Sequence, residues 1–436
     1  MTICVIGMGK IGLPLAVHYA EKNNSVIGVD INEKTVTSIN SGEVPFPGEN
    51  HLDEKLKNVV KLGRLISTTD FSFAIPKAEI ILVIVPLFVS AEGEPDFRAI
   101  DSVTTEIGTF IKVGTQVIYE TTLPIGSTKN RFTKMLETLS GMKEGIGFYV
   151  TFSPERVLTG RVFEDLGKYP KIVGGVSPIS GAKASEFYLK NIDFIQRDDL
   201  AKPNGVWEVE NSEAAELVKL AETTYRDVNI GLANQFARFA FKSGIDIYEV
   251  ISAANSQTFS HIHQPGISVG GHCIPIYPRL YLWKDPEATL VSEARKVNLE
   301  MPDYAIGLIK QRISSLKDVS VAVLGITYRT GVKETAFSGA FPLIEILMQN
   351  GAKVYSDDPM YTAEEISEKN LKVLTDKSDI EVLILHTNHA NYDKEFYEEF
   401  ENLKIILDGR NSIPQSWIKN EVTLIKLGDG TQKPST

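Results

Sequence analysis

Cys273 stands in the stretch Ser-Val-Gly-Gly-His-Cys-Ile-Pro-Ile-Tyr-Pro, residues 268–278, between a glycine pair and two prolines. It is one of two cysteines in 436 residues. A free cysteine kept for packing behaves as a small buried hydrophobe, and that reading suits Cys4, inside the apolar run at the N-terminus. Irregular Gly/Pro backbone instead presents a side chain to a cleft. A thiolate there is a candidate nucleophile.

A second group is Gly7, Gly9 and Gly12 in Val-Ile-Gly-Met-Gly-Lys-Ile-Gly, with Lys10 and Ile11 completing the turn. The first glycine permits a tight turn, the second lets a pyrophosphate approach the backbone, and the third lets helix and strand pack closely. Asp30 ends the next apolar run, roughly 20 residues on, where a carboxylate accepts from both ribose hydroxyls and repels a 2′-phosphate. The spacing predicts NAD rather than NADP; the alternative is a glycine-rich turn without a ligand. A hydride acceptor in the same chain gives the thiolate a task. It adds to an aldehyde, and the thiohemiacetal loses a second hydride to become a thioester. An alcohol would then leave as an acid, with two NAD reduced.

Further candidates surround these two. Lys219 interrupts a stretch of apolar and small residues, Ala-Ala-Glu-Leu-Val-Lys-Leu-Ala-Glu-Thr-Thr-Tyr. It is either a snorkelling surface lysine or a cation stabilising an oxyanion. Thr223 shares its helix face one turn on. Glu155 and Arg156, in Ser-Pro-Glu-Arg-Val, follow a predicted strand end, where open α/β sheets offer groups to ligands. A surface ion pair or a helix start is the alternative. Glu120, Thr121 and Thr122 follow another strand, where a hydroxyl-rich turn could equally cap the next helix. His261 and His263 precede the cysteine without a third ligand, so ordinary hydrogen bonding is expected and no metal site.

These residues need elements to position them. The first ~190 residues alternate apolar strands with helical stretches, which predicts a parallel sheet. The predicted strands are Ile3–Ile6, Val26–Val29, Ile80–Val85, Gln116–Tyr119 and Phe148–Phe152. One long helix is predicted from an Asn211 N-cap to a Gly244 stop, with Leu217, Leu220, Val228, Leu232 and Phe236 as its apolar stripe. Strand–helix alternation returns near Val319 and echoes the N-terminal pattern. The expected fold class is α/β: an N-terminal Rossmann-type domain over 1–195, a central long-helix domain over 205–300, a C-terminal Rossmann-like domain over 315–427, and a flexible tail at 428–436.

Bulk properties bound the partners. A net charge of −11 argues against nucleic acid or an anionic membrane as partner. No apolar run reaches the roughly 20 residues of a membrane span. With no signal-peptide pattern and no disulfide framework, a cytoplasmic protein with reduced thiols is expected.

Taken together, Lys-Leu-Ala-Glu-Thr-Thr-Tyr-Arg-Asp-Val-Asn-Ile, Ser-Pro-Glu-Arg-Val, Gly-Gly-His-Cys and Gly-Val-Lys-Glu-Thr resemble the UDP-glucose/GDP-mannose dehydrogenase family, and its UDP-N-acetylhexosamine branch above all. The resemblance runs from the first strand to Leu407–Asn411. It implies four-electron oxidation of a sugar C6 alcohol to a carboxylate, with NAD, a helical dimer core, and a product destined for surface polysaccharides. UDP-N-acetyl-D-mannosamine is the substrate it favours, with UDP-N-acetylglucosamine or UDP-glucose as alternatives. Cys273 falls at the family's nucleophile, Lys219 at its oxyanion-stabilising lysine, Glu155 at its acid–base or water-orienting glutamate, and Thr122 at a threonine near the nicotinamide. Substrate contacts are implied at Arg156, Lys219 and Arg226, at His261, and at Gly270 and Gly271. Arg329 falls where the family usually has a lysine in its substrate segment. Three departures stand out: Thr223 for a common asparagine, Tyr277 for an aspartate, and Ala336 for an arginine. A tyrosine, with an ordinary pKa of about 10, cannot replace a carboxylate as base near neutrality. Two rival readings follow: a single-hydride hydroxyacid dehydrogenase, which leaves Cys273 unexplained, and a non-catalytic nucleotide-sugar binder, which the departures motivate.

Overall fold

The computed structural model describes residues 1–90 and 93–431. Its residues divide into two units, Met1–Glu222 with Arg279–Lys284, and Thr223–Pro278 with the chain from Asp285 onward.

The first unit is built on β1 Thr2–Ile6, β2 Ser25–Val29, β3 Leu65–Thr68 and β4 Ile80–Val83, a short ribbon of β5 Phe88–Val89 and β6 Pro95–Asp96, then β7 Gln116–Tyr119, β8 Tyr149–Phe152, β9 Lys171–Gly175 and β10 Val206–Glu208. Its main sheet runs β10-β9-β8-β7-β4-β1-β2-β3. The six strands from β3 to β8 form the doubly wound dinucleotide-binding order. Only β8 and β9 pair antiparallel. Strands buried on both faces read as continuous apolar runs. In β1 and β4, Ile3, Val5 and Leu82 join one layer, and Cys4, Ile6, Ile81 and Val83 the other. Burial pushes the Cys4 thiol up to about 12, which leaves it no nucleophilic role. β3, β9 and β10 lie outside the predicted strands. β9 opens on a lysine and β10 has three residues, too little pattern for periodicity to find.

The long helix is Ser212–Ser243, 32 residues. Asn211 Oδ1 accepts from Ala214 N at 2.8 Å, and Gly244 follows with φ +72°, so both predicted ends hold. Along the predicted apolar stripe burial is divided. Leu217, Leu232 and Phe236 are exposed, whereas Leu220, Ala233, Ala237 and Ala240 are buried. The inner face is small because a neighbour packs close: a Cβ on Gly231 would lie 3.0 Å from Ala294 Cβ.

The second unit carries β11 Ser320–Leu324, β12 Lys353–Asp357, β13 Val382–Leu385, β14 Ile405–Asp408 and β15 Thr423–Lys426. The order is β12-β11-β13-β14-β15, all parallel. This is the other common doubly wound order, with its strand-order switch between β11 and β13. Val321, Val323 and Leu407 fill one layer, and Leu324, Leu385 and Ile406 the opposite one.

The expected flexible tail at 428–436 needs correction at its start. Ile247 N donates to Gly428 O at 3.2 Å, Gly430 N donates to Ile245 O at 2.9 Å, and Asp429 is buried. Residues 432–436 lie outside the described residues. Among the described residues no helix is long and apolar enough to cross a membrane.

Candidate active site

The glycine turn joins β1 to the helix Gly12–Glu21. Gly7 has φ +95°, and a Cβ there would meet Ile84 O at 2.8 Å; one on Gly12 would lie 1.8 Å from Gly7 O. Gly9 faces open space, with nothing within 4 Å of a Cβ. Lys10 is exposed and Ile11, the N-cap, offers no side-chain cap. Within the first helical turn Leu13 N donates to Gly9 O at 3.0 Å and Pro14 carries no N–H, so what the helix N-terminus offers an anion is its positive dipole end. Asp30 Oδ2 accepts from Met8 N at 2.9 Å and Oδ1 from Asn32 N at 2.9 Å. A carboxylate has about four lone-pair sites, so each oxygen retains one for a ribose hydroxyl. The residues present fit a dinucleotide.

On the same unit, β7 and β8 end at Tyr119 and Phe152, which are paired in register. Beyond these ends, Glu155 N donates to Glu120 O at 3.3 Å. Thr122 is buried in the turn after β7, while Thr121 Oγ1 donates to Val85 O at 2.6 Å. The turn does not use its threonines to cap the next helix. Glu216, from the long helix, does so: its carboxylate accepts from Thr128 N at 2.9 Å, Thr128 Oγ1 at 2.7 Å and Gly126 N.

Lys219 is 8% exposed, and its Nζ donates to Glu155 O at 2.9 Å. The snorkelling alternative is thereby excluded. Arg156 Nε reaches Glu222 at 3.1 Å and Nη1 donates to Pro170 O at 3.1 Å. Sequence reasoning missed Lys171, which bridges Glu155 Oε2 at 2.7 Å and Glu120 Oε1 at 3.0 Å. Its only signal was a lysine opening an apolar run, Lys171–Val173. Burial opposes charge on Glu155, yet the Lys171 ammonium, the Arg156 N–H and Lys219 together hold its carboxyl below the usual range. Burial raises Glu120, which Glu155 reinforces against the pull of Lys171.

In the second unit, Cys273 is exposed. Its carbonyl accepts from Ile276 N at 3.2 Å and Tyr277 N at 2.9 Å, which leads the loop into the helix Tyr277–Lys284. The glycine pair before it has a packing reason. A Cβ on Gly270 would lie 2.6 Å from Tyr328 Cβ, and one on Gly271, at φ +92°, 3.0 Å from the Tyr328 ring. Gly271 N donates to Ala336 O at 2.9 Å, and Ser268 Oγ hydrogen-bonds His386 Nε2 at 2.9 Å. The cysteine loop thus lies on the segments that follow β11 and β13. Arg329, on the first of these, is exposed, as is Arg226. His261 acts through its backbone: its carbonyl accepts from Asn229 Nδ2 at 2.7 Å, and Asn229 Oδ1 accepts from His263 N at 2.9 Å. Thr223 is buried in the long helix. Among the described residues no three His, Cys, Asp or Glu side chains gather as for a metal ion.

Three family models match in chain order: the NAD-binding domain of the UDP-glucose/GDP-mannose dehydrogenase family over residues 1–192, its central domain over 213–300 and its UDP-binding domain over 322–415. The chain belongs to the UDP-glucose/GDP-mannose dehydrogenase family. It is an NAD-dependent nucleotide-sugar dehydrogenase, an oxidoreductase, and the glycine turn with Asp30 lies in its NAD-binding domain. The non-catalytic reading falls with that membership. Among relatives of this dehydrogenase, UDP-N-acetyl-D-mannosamine dehydrogenase from Pyrococcus horikoshii is 34% identical over 423 residues, covering 95% of this chain and 96% of the relative. The protein of that name from Methanocaldococcus jannaschii is 34% identical over 443 residues, covering 98% and 96%. The solved UDP-D-ManNAc dehydrogenase of Pyrococcus horikoshii has a TM-score of 0.88 at 32% identity, covering 99% of this chain and 100% of that one.

At two of the departures the main chain of this dehydrogenase holds the cysteine loop, through bonds that do not depend on the side chain. Tyr277 takes part through its backbone N–H to Cys273 O, and Ala336 holds Gly271 through its carbonyl. Neither supplies the charge of the common residue.

Proposed function

We propose that the chain oxidises the C6 alcohol of a UDP-N-acetylhexosamine, UDP-N-acetyl-D-mannosamine first, to the uronate, in the cytoplasm and as a homodimer. The observation that carries the substrate class is the likeness, over 95% and 98% of the chain, to relatives named for that sugar. Exposed Leu232, Phe236 and Phe239 on the long helix support packing of a second copy there.

Held by the glycine turn and Asp30, NAD would supply the hydride acceptor, one NAD molecule for each of two successive oxidations. Glu155, ionised beside Lys171, takes the hydroxyl proton through a water as the alcohol becomes an aldehyde. The Cys273 thiol then adds across the aldehyde C=O, its sulfur bonding to the carbon as the π bond breaks and its proton passing to the oxygen, giving a thiohemiacetal that cannot diffuse away. Loss of a second hydride and the hydroxyl proton leaves a thioester. Water, oriented by Glu155 and Thr122, attacks the acyl carbon; the C–S bond breaks and the thiol is regenerated with the carboxylate. Lys219 stabilises the negative oxygen in both halves, with Thr223 supporting it from the next helical turn. Arg156, Arg226, His261, Gly270, Gly271 and Arg329 are assigned to the sugar nucleotide.

The exposure of Cys273, against the complete burial of Cys4, supports the covalent step. A single-hydride oxidation gives the exposed thiol nothing to do. The test is a panel of UDP- and GDP-sugars assayed for NADH formation. UDP-N-acetyl-D-mannosamine should give the highest kcat/KM; a GDP-sugar or UDP-glucose ahead of every acetamido sugar would overturn the assignment.

A further inference from the structure

Three charged side chains meet in the first unit behind Glu155, and the reaction as derived uses only one of them. Lys171 is 5% exposed, Glu120 0% and Glu155 11%. The ammonium group of Lys171 donates to Glu155 Oε2 at 2.7 Å and lies 3.0 Å from Glu120 Oε1. The Tyr188 hydroxyl, from the helix Pro178–Asn191, donates to the same Glu120 oxygen. Glu120 Oε2 is buried with no hydrogen-bond partner.

That orphan oxygen decides the charge state. An ionised Glu120 would leave one buried anionic oxygen bare, which costs far more than a neutral hydroxyl in the same place. A proton on Glu120 removes that bare charge, while Glu155, whose Oε1 accepts from Arg156 N at 2.7 Å and which also faces Lys219, keeps its own. Resting on the reading of Glu155 as base, we propose that Lys171 is its positioning residue: the ammonium group fixes the Glu155 carboxylate from the protein side, and a protonated Glu120 backs the ammonium group without competing for it. The other titratable groups facing the cluster are Lys219 from the long helix, Tyr188, and Tyr19 from the helix Gly12–Glu21. Burial holds both tyrosines neutral. Arg156 turns its side chain away to Glu222.

Removing the cation raises the pH at which Glu155 ionises. Lys171→Met should therefore move the acidic limb of the kcat/KM profile upward by roughly one unit or more and lower kcat at neutral pH by about 10- to 100-fold. KM for the nucleotide sugar should stay within about 3-fold, since no substrate contact is lost, and Lys171→Arg should restore the profile. A wild-type profile in Lys171→Met overturns the proposal. Infrared difference spectra of purified wild type minus Glu120→Gln near neutral pH, to which other protonated carboxyls such as Glu216 contribute equally, supply a second readout: a protonated-carboxyl C=O band in the difference is expected. Its absence from the difference overturns the charge assignment even if Lys171→Met does not fold. Glu155→Gln, assayed alongside, separates the two failures. A wild-type rate and profile there removes Glu155 as base. Loss of the acidic limb there, with a wild-type profile in Lys171→Met, removes only Lys171.

Discussion

Lys219 Nζ donates a hydrogen bond to the main-chain carbonyl oxygen of Glu155 at 2.9 Å. A lysine on the long helix is thereby tied to the main chain of the segment that leaves β8. Preorganised donors of this kind need no rearrangement as charge develops on a substrate oxygen.

Lys219→Ala should accordingly lower kcat by roughly 100- to 1,000-fold, the usual cost of removing one oxyanion donor. The steady-state rate of NADH formation checks it. A loss of less than about 3-fold would place the lysine outside the chemistry.

The choice of cofactor is assigned to Asp30 as a proposal. Its oxygens are aligned by Met8 N and Asn32 N, both at 2.9 Å. Asp30→Ala removes two charge-assisted hydrogen bonds to ribose, so kcat/KM for NAD should fall by about 10- to 100-fold. It also removes the charge that repels a 2′-phosphate, so the NAD/NADP ratio should narrow. An unchanged ratio would move the ribose elsewhere.

Glu216 ties the Thr122 turn to the long helix, and it titrates near neutrality. Burial pushes its carboxyl from 4.5 up to about 7, against the pull of Thr128 and Gly126. A folded-state pKa above the unfolded one adds stability that is fully present below the unfolded value and is lost as pH rises through the folded value. Between about pH 4.5 and 7 this group should thus cost the fold on the order of 3 kcal/mol. Glu216→Gln does not titrate, so the stability of wild type relative to Glu216→Gln should fall across that window and level off above it. Denaturant titrations at several pH values check this; parallel curves for the two proteins would contradict it.

The parts of the site legible in the sequence are those written locally. Gly7, Gly9 and Gly12 lie within one turn, and their spacing encodes steric demands that the fold meets: a Cβ on Gly12 would lie 1.8 Å from Gly7 O. Asn211 marks one helix end through its side-chain cap and Gly244 the other through its left-handed backbone. Lys171, Glu120 and Glu155 meet only because β7, β8 and β9 are neighbours, and neither periodicity nor spacing carries that. The inner face of the long helix was illegible for a related reason: close packing at Gly231 and Ala294 reserves it for small residues, which an apolar stripe does not announce.

The covalent step is tested most directly by the NADH formed per molecule of UDP-N-acetyl-D-mannosamine consumed, measured for wild type and Cys273→Ser under the same conditions. Wild type should form two, and the serine variant should be unable to sustain that yield over repeated turnovers. One NADH per sugar in wild type, or two at the wild-type rate in Cys273→Ser, would contradict the mechanism.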